Sequence, residues 1–182
     1  MRGKRTALLV VDMLNAYEHD DADALAESVR TAVPRIAGLI ERARDSGTPL
    51  VWVNDNYGDW NSSSEELARR ALDGRCPELV EPVLPRAADA FVIKARHSVF
   101  YSTPLEYLLQ TMDVGRIVLA GQATEQCILY SALDGYVRHF DVAVPRDAVA
   151  HIHPHLAEAA IEMMERNMRA EVAPAGELHL DG

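Results

Sequence analysis

Short apolar runs alternate along the chain with longer stretches in which apolar positions recur every three or four residues. That rhythm is the signature of a parallel sheet whose strands are joined by crossover helices, an α/β fold. Thr6-Ala-Leu-Leu-Val-Val11 is apolar beyond its first residue, as a strand covered on both faces requires. Residues 50–53, 90–93, 116–120 and 141–144 repeat the signal, and residues 170–173 form a weaker sixth. Between the first two strands, Leu25, Val29, Ile36, Leu39, Ile40 and Ala43 keep helical spacing. Gly47 suits the cap of that helix, and Pro34 either kinks one long helix or separates two short ones. Thr103-Pro-Leu-Glu106 has the pattern of a capping box around a first-turn proline, so a helix starts there. Further helices are expected over residues 125–138 and 156–168, and the longest polar interruption covers residues 54–64.

No repeat, low-complexity tract or linker divides the sequence, and 182 residues with 48% hydrophobic content suffice for one core, so a single domain over residues 1–182 is expected. The 28 acidic side chains outnumber 18 basic ones, a net charge of -10 that repels phosphate backbones and anionic membrane surfaces. Nucleic acid and membranes are therefore not expected partners; a small molecule is. The basic stretch at residues 1–6 leads into an apolar run that Asp12 interrupts, without a small-residue cleavage pattern, unlike a signal peptide. No apolar run approaches the roughly 18 residues of a membrane helix. Cys76 and Cys127 lie far apart in sequence, which argues against a disulfide scaffold and for a cytoplasmic protein with reduced thiols.

In open parallel sheets the ligand crevice lies beyond the carboxyl ends of the strands. Asp12 follows the first strand, Lys94 follows the third, and Cys127 falls in the first turn of the helix after the fourth. Each alone has an ordinary explanation: a turn-forming carboxylate, a solvated strand end, a buried packing residue. Together they supply nucleophilic chemistry. A thiol with its usual pKa of about 8.5 is mostly protonated at neutral pH, whereas the thiolate is the nucleophile. If Thr124 caps the helix, Cys127 takes its third position, where free amides and the positive helix end favour the thiolate. Lys94 adds to that effect and holds Asp12 ionised, while Asp12 takes the proton and later delivers it to a leaving amine. The turn Gly121-Gln-Ala-Thr124 aims several amides at one point, as an oxyanion needs. After Gly121 the next glycine is Gly135, so the spaced glycines of a nucleotide-phosphate loop are missing.

Three segments, Val10-Val-Asp-Met-Leu-Asn-Ala-Tyr17, Lys94-Ala-Arg-His-Ser-Val-Phe-Tyr-Ser-Thr-Pro-Leu105 and Gly121-Gln-Ala-Thr-Glu-Gln-Cys127, resemble the isochorismatase-like cysteine hydrolases. The likeness covers nearly the whole chain. That family includes nicotinamidases, N-carbamoylsarcosine amidohydrolase, ureidoacrylate and maleamate amidohydrolases, streptothricin hydrolase, and isochorismatases that cleave a vinyl ether. The resemblance implies a Rossmann-like three-layer α/β sandwich with a mostly parallel five- or six-stranded sheet in the order 3-2-1-4-5-6. It implies Asp12 as general acid/base, Lys94 as its electrostatic partner and Cys127 as the nucleophile that forms a thioester. A cis peptide at Gln122-Ala123 and an oxyanion hole from the backbone amides of Ala123 and Cys127 follow by the same likeness, as does a homo-oligomer, dimer or tetramer.

Departures from the family pattern bear on the substrate. Leu14 stands where a glutamine is common, Ala16 replaces a second aspartate and Tyr17 a phenylalanine, which makes the pocket wall less polar. Metal-dependent nicotinamidases carry Asp-x-His after the second strand; Asp55 is kept here, but Tyr57 takes the histidine position. No catalytic metal and no other cofactor are therefore expected. Isochorismatases proper generally lack the cysteine, which favours hydrolysis of a C–N bond in a small amide or lactam over vinyl-ether cleavage. Leu14, Tyr17, Asp55, Tyr57, Trp60, Tyr101 and Tyr130 are candidate substrate-binding residues, with packing under a surface loop as the plainer alternative for the aromatic ones. His151, His153 and His155 read as a cap and loop rather than a zinc site. A thiol redox protein in which Cys76 resolves an oxidised Cys127 is the competing reading, and it leaves Asp12 and Lys94 unexplained. Asp147, after the fifth strand, is expected to order the loop that follows it.

Overall fold

The computed structural model describes residues 5–180. Residues 1–4, part of the basic stretch judged unlike a signal peptide, lie outside the described residues.

The continuous apolar run at the start becomes β1 (Arg5–Val11), which lies in the middle of the sheet because it has an apolar residue for each face. It pairs in parallel with β2 (Leu50–Asp55) on one side, beyond which β3 (Ala90–Lys94) forms the edge, and with β4 (Val114–Gln122) on the other, followed by β5 (Asp141–Pro145). A two-residue strand, β6 (Val149–Ala150), pairs with Gly121 and Gln122 at the end of β4, and β7 (Glu171–Ala173) closes the edge beside β5. The sheet thus runs β3-β2-β1-β4-β5-β7 with every pairing parallel. This is the expected order, with seven strands rather than five or six. The added β6 is too short to show any period in the sequence, and its pairing holds the end of β4.

Side chains of β1 alternate between two cores. Leu8 and Val10 pack with Val29, Ile36, Leu39 and Ile40 of α1 (Ala22–Ser46), joined by α2 (Ser64–Leu72) and α3 (Pro77–Val80) through Leu67, Ala71, Leu79 and Val80. Ala7, Leu9 and Val11 face the opposite layer, where α4 (Leu105–Thr111), α5 (Leu129–Val137) and α6 (Pro154–Met168) contribute Leu105, Leu109, Ala132, Met164 and Met168. Each such large apolar side chain contributes about 1.5–3 kcal/mol on burial.

Pro34 does not divide α1, which is one helix of 25 residues. The proline lies on the exposed side, and Val33 and Ile36 beside it are buried, so packing holds the helix across the missing amide. Gly47 closes it at φ 69°, its amide bonded to the carbonyls of Ala43 and Arg44. The capping box expected at Thr103 is not formed: α4 begins at Leu105, Thr103 donates to the Val99 carbonyl at 2.6 Å, and Glu106 pairs with Arg138 at 3.0 Å. A capping box does occur at Ser63 and Glu66, starting α2 where no helix was expected. No helix of the described residues is long and apolar enough to cross a membrane.

Candidate active site

Four strand ends converge on one point. Asp12 leaves β1 with φ 54°, a conformation few non-glycine residues adopt, and its amide is held by the Val53 carbonyl at 2.9 Å. One carboxylate oxygen accepts the Asp55 amide at 2.7 Å. The other lies 2.9 Å from the Lys94 ammonium at the end of β3. Lys94 Nζ is also 3.4 Å from the Asp55 carboxylate, which faces it across the β2–β3 register, and 3.5 Å from Cys127 Sγ. The Lys94 side chain has no solvent exposure and that of Asp12 only 8%, so this is a buried ion pair touching a thiol.

Cys127 owes its place to the exit of β4. Gly121 has φ 126°, and a Cβ there would stand 2.1 Å from the Val11 carbonyl oxygen, so no other residue lets β4 pass so near the end of β1. The peptide between Gln122 and Ala123 is cis. The Gln122 side chain donates to the Asp12 carbonyl and accepts from the Tyr17 hydroxyl at 3.5 Å, tying the turn to the β1 exit. Next comes a π-helical turn, Thr124–Ile128, in which the Ala123 carbonyl accepts the amides of Gln126 and Ile128, each at 3.1 Å, and passes over Cys127 between them.

Thr124 does not cap that turn as expected. Its hydroxyl donates to the Ala150 carbonyl of β6 at 2.9 Å, and Ala123 takes the cap position without a side-chain bond. The protonation state differs from expectation too. Burial pushes the Cys127 thiol well above its usual range, the Asp12 carboxylate adds to the rise, and Lys94 only partly opposes them. The raised proton affinity makes the resting group a thiol rather than a thiolate. Burial likewise raises the Asp12 carboxyl, against the pull of Lys94. Burial works against the charge on Lys94, but Asp12, Cys127 and Asp55 together hold its ammonium above the ordinary range. A carboxylate that binds protons more readily than usual, next to a thiol, is suited to take that thiol's proton.

The other expected contact residues divide into three groups. Asp55 belongs to the charge cluster. Leu14 is buried, its amide and carbonyl clipped by the Asn54 side chain at 2.9 and 3.2 Å, and it lines a cavity of about 120 Å³ with Ala16, Tyr57, Leu67 and Ala71. Tyr57, with φ 49°, is 37% exposed as a residue, yet burial and the Asp12 charge raise its phenol well above the usual range, so the hydroxyl end points inward. Tyr17 is not on a pocket wall: it is fully buried and its hydroxyl supports Gln122. Trp60 and Tyr101 stand in solvent, 81% and 58% exposed. Tyr130 reaches the site through His97, with ring centroids 5.3 Å apart, and His97 Nδ1 is 3.9 Å from Cys127 Sγ.

His97 and Asn54 were not singled out from the sequence. Both lie near strand ends, Asn54 as the penultimate residue of β2 and His97 three residues past Lys94, so proximity to a strand end was the available signal.

Among the described residues no three of His, Cys, Asp or Glu are grouped to hold a metal ion. The donors beside Asp55 do not fit a nicotinamidase-type metal either, since its carboxylate faces the Lys94 ammonium and a phenol replaces the imidazole. His151 pairs with Ser28 at 3.2 Å, and the amides of Ile152 and His153 are held by Glu125. Cys76 is a free, buried thiol, and Asp147 fixes the later loop by accepting the Ala175 amide at 2.6 Å.

The isochorismatase domain family model matches residues 6–176. The chain belongs to that family. It is 36% identical over 166 residues to the uncharacterized isochorismatase family protein YaaI of Bacillus subtilis (strain 168), covering 91% of this chain and 92% of that one. It is 33% identical over 165 residues to the maleamate amidohydrolase of Pseudomonas putida, covering 85% and 78%. Among solved structures, N-carbamoylsarcosine amidase from Thermoplasma acidophilum superposes with a TM-score of 0.75 at 28% identity, covering 97% of this chain and 99% of that one.

Proposed function

We propose that this family member hydrolyses a C–N bond of a small amide or lactam through a thioester on Cys127. One observation carries the reading: Lys94 Nζ lies 2.9 Å from the Asp12 carboxylate and 3.5 Å from Cys127 Sγ. Asp12 takes the thiol proton as sulfur attacks the carbonyl carbon, and Lys94 stabilises the negative charge that passes between them. The amides of Ala123 and Cys127 receive the carbonyl oxygen as it becomes an oxyanion. Collapse breaks the C–N bond, Asp12 returns its proton to the leaving nitrogen, and water then releases the acyl group as a carboxylic acid. Leu14 and the inward phenol of Tyr57 form one wall for the substrate, and Tyr130 contributes at the open side. The similarity to the maleamate amidohydrolase and the N-carbamoylsarcosine amidase supports C–N cleavage rather than vinyl-ether cleavage. We also propose a cytoplasmic homo-oligomer, dimer or tetramer: the two free cysteines support a reducing compartment, and the family resemblance supports the assembly.

Ammonia release from maleamate, N-carbamoylsarcosine, nicotinamide and a series of simple amides and lactams tests the reading. Turnover of at least one compound is expected, and C127A and C127S abolish it. A turned-over compound that both variants process at the wild-type rate refutes the thioester route.

A further inference from the structure

Asp12 is held through its backbone as well as through its carboxylate. Its amide is accepted by the Val53 carbonyl of β2 at 2.9 Å, and its own carbonyl accepts the side-chain amide of Gln122 from the end of β4. The carboxylate is then turned by the Asp55 amide at 2.7 Å and the Lys94 ammonium at 2.9 Å. The first two bonds set where the Cα–Cβ bond points, and the last two set the rotation about it. Gln122 also reaches the far end of the same segment: Tyr17 donates its hydroxyl to Gln122 Oε1 at 3.5 Å, and both side chains are buried. Asp12 and Tyr17 have φ of 54° and 55°, a conformation that a non-glycine residue keeps where its surroundings hold it. One side chain from β4 therefore bonds to both left-handed ends of residues 12–17. Its orientation follows from its partners, since the Asp12 carbonyl needs the NH2 end and the Tyr17 hydroxyl takes up the oxygen.

We propose that Gln122, oriented by Tyr17, is a positioning residue of the reaction: it holds the backbone of Asp12 so that the carboxylate is aligned for proton transfer with Cys127. This rests on the reading of Asp12 as the base and Cys127 as the nucleophile. Proton transfer depends on distance and direction, and a misplacement of about 1 Å can cost about 100-fold in rate. Gln122 is suited to control both because its main chain leads into the turn that carries the cysteine. Ala123 follows it, and the Ala123 carbonyl accepts the amides of Gln126 and Ile128 on either side of Cys127. The side chain of one residue thus sets the base, while its main chain opens the turn of the nucleophile. Loss of the side-chain amide takes that partner from the buried Asp12 carbonyl and Tyr17 hydroxyl, and Asp12 shifts to find others. Gln122 acts through Asp12, so its loss slows the chemical step and leaves substrate binding unchanged.

The test compares wild type, Q122M, Y17F, D12N, C127A and the double variants D12N/Q122M and D12N/Y17F. The substrate is whichever of maleamate, N-carbamoylsarcosine, nicotinamide and the simple amides and lactams wild type hydrolyses fastest, with kcat and KM measured separately. Methionine keeps the length of glutamine and adapts to a buried place, Y17F removes a single hydroxyl, and circular dichroism records that each variant is folded. The expected result is a kcat lowered about 100-fold in Q122M and about tenfold, the worth of one hydrogen bond, in Y17F, each with KM unchanged. In the D12N background neither change lowers kcat further, because a residue that acts through the Asp12 carboxylate has nothing left to position. A general loss of packing lowers kcat alike in both backgrounds, so an equal effect in D12N overturns the positioning role, as does a wild-type kcat in folded Q122M or in Y17F. Should Q122M not fold, Y17F and D12N/Y17F give the same decision. Turnover at the wild-type rate in C127A or D12N overturns the reading of base and nucleophile, and this proposal with it.

Discussion

The ammonium of Lys94 stands 2.9 Å from the carboxylate of Asp12 at a point where the lysine side chain is sealed from water and the aspartate nearly so. Each charge supports the other there, and Asp55, 3.4 Å from Lys94, adds to the support of the ammonium. Truncating one partner leaves an uncompensated buried charge, which typically costs about 3–5 kcal/mol, whereas removing both with well-packed apolar residues is often close to neutral. K94M and D12L are therefore each expected to lower the unfolding free energy by about 3 kcal/mol or more, and the double variant to lower it by less than the sum. Urea titrations of the four proteins measure the coupling. Strict additivity would show that the two charges do not depend on each other.

A second expectation concerns alkaline pH. Burial and the Asp12 charge raise the Cys127 thiol, so the folded protein keeps a proton that an unfolded thiol gives up near pH 8.5. The folded state then binds more protons than the unfolded one, and stability falls as pH rises. This contribution is complete below pH 8.5 and shrinks above it, by at most about 1.4 kcal/mol per pH unit. Wild type is expected to lose stability between about pH 8 and 10 more steeply than C127A does. Parallel slopes in denaturant titrations of the two would contradict the raised thiol.

Gly121 is the tightest point of the scaffold. Its φ of 126° is unfavourable for any side chain, and a Cβ would lie 2.1 Å from the Val11 oxygen in a backbone that has no flexible end to move. G121A is expected to cost at least about 3 kcal/mol, as strain and overpacking combine. Thermal unfolding provides the measurement, and an unchanged midpoint would mean that the β1 and β4 exits can separate at little cost.

How much of this was legible beforehand depended on whether a feature was periodic. β1 announced itself because Leu8 and Val10 serve one core and Ala7, Leu9 and Val11 the other, leaving an unbroken apolar run. The convergence of Asp12, Lys94 and Cys127 was legible because the parallel topology places strand ends side by side, and each of the three lies at or beyond such an end. The π-helical turn was not, since Thr124 and Glu125 look like ordinary first-turn residues until β6 claims the Thr124 hydroxyl. Nor was the thiol's resting state, because the turn suggested a stabilised thiolate while the dominant influence, burial beside Asp12, comes from residues distant in sequence. Aromatic type alone did not tell Tyr17, sealed behind Gln122, from Trp60, which lies in solvent.

Asp12 and Asp55 both face Lys94, and their geometry assigns them different work. Asp12 meets Lys94 at 2.9 Å and its charge acts directly on the Cys127 thiol, whereas the Asp55 carboxylate meets Lys94 at 3.4 Å and accepts the Tyr57 amide at 2.8 Å. Asparagine at position 55 keeps an oxygen for that amide and loses only the charge. The charge on Asp55 helps to raise the Asp12 carboxyl, so its removal moves Asp12 downward. A base with a lower pKa stays ionised to lower pH, so the acid limb of kcat/KM shifts to lower pH in D55N. At neutral pH D55N is expected to retain activity within about tenfold of wild type, whereas D12N loses about 10²–10⁴, the usual worth of a positioned acid/base. The pH profiles of both variants on one turned-over amide decide the matter. A D55N protein as inactive as D12N, or an acid limb displaced upward, would place Asp55 in the proton-transfer step itself.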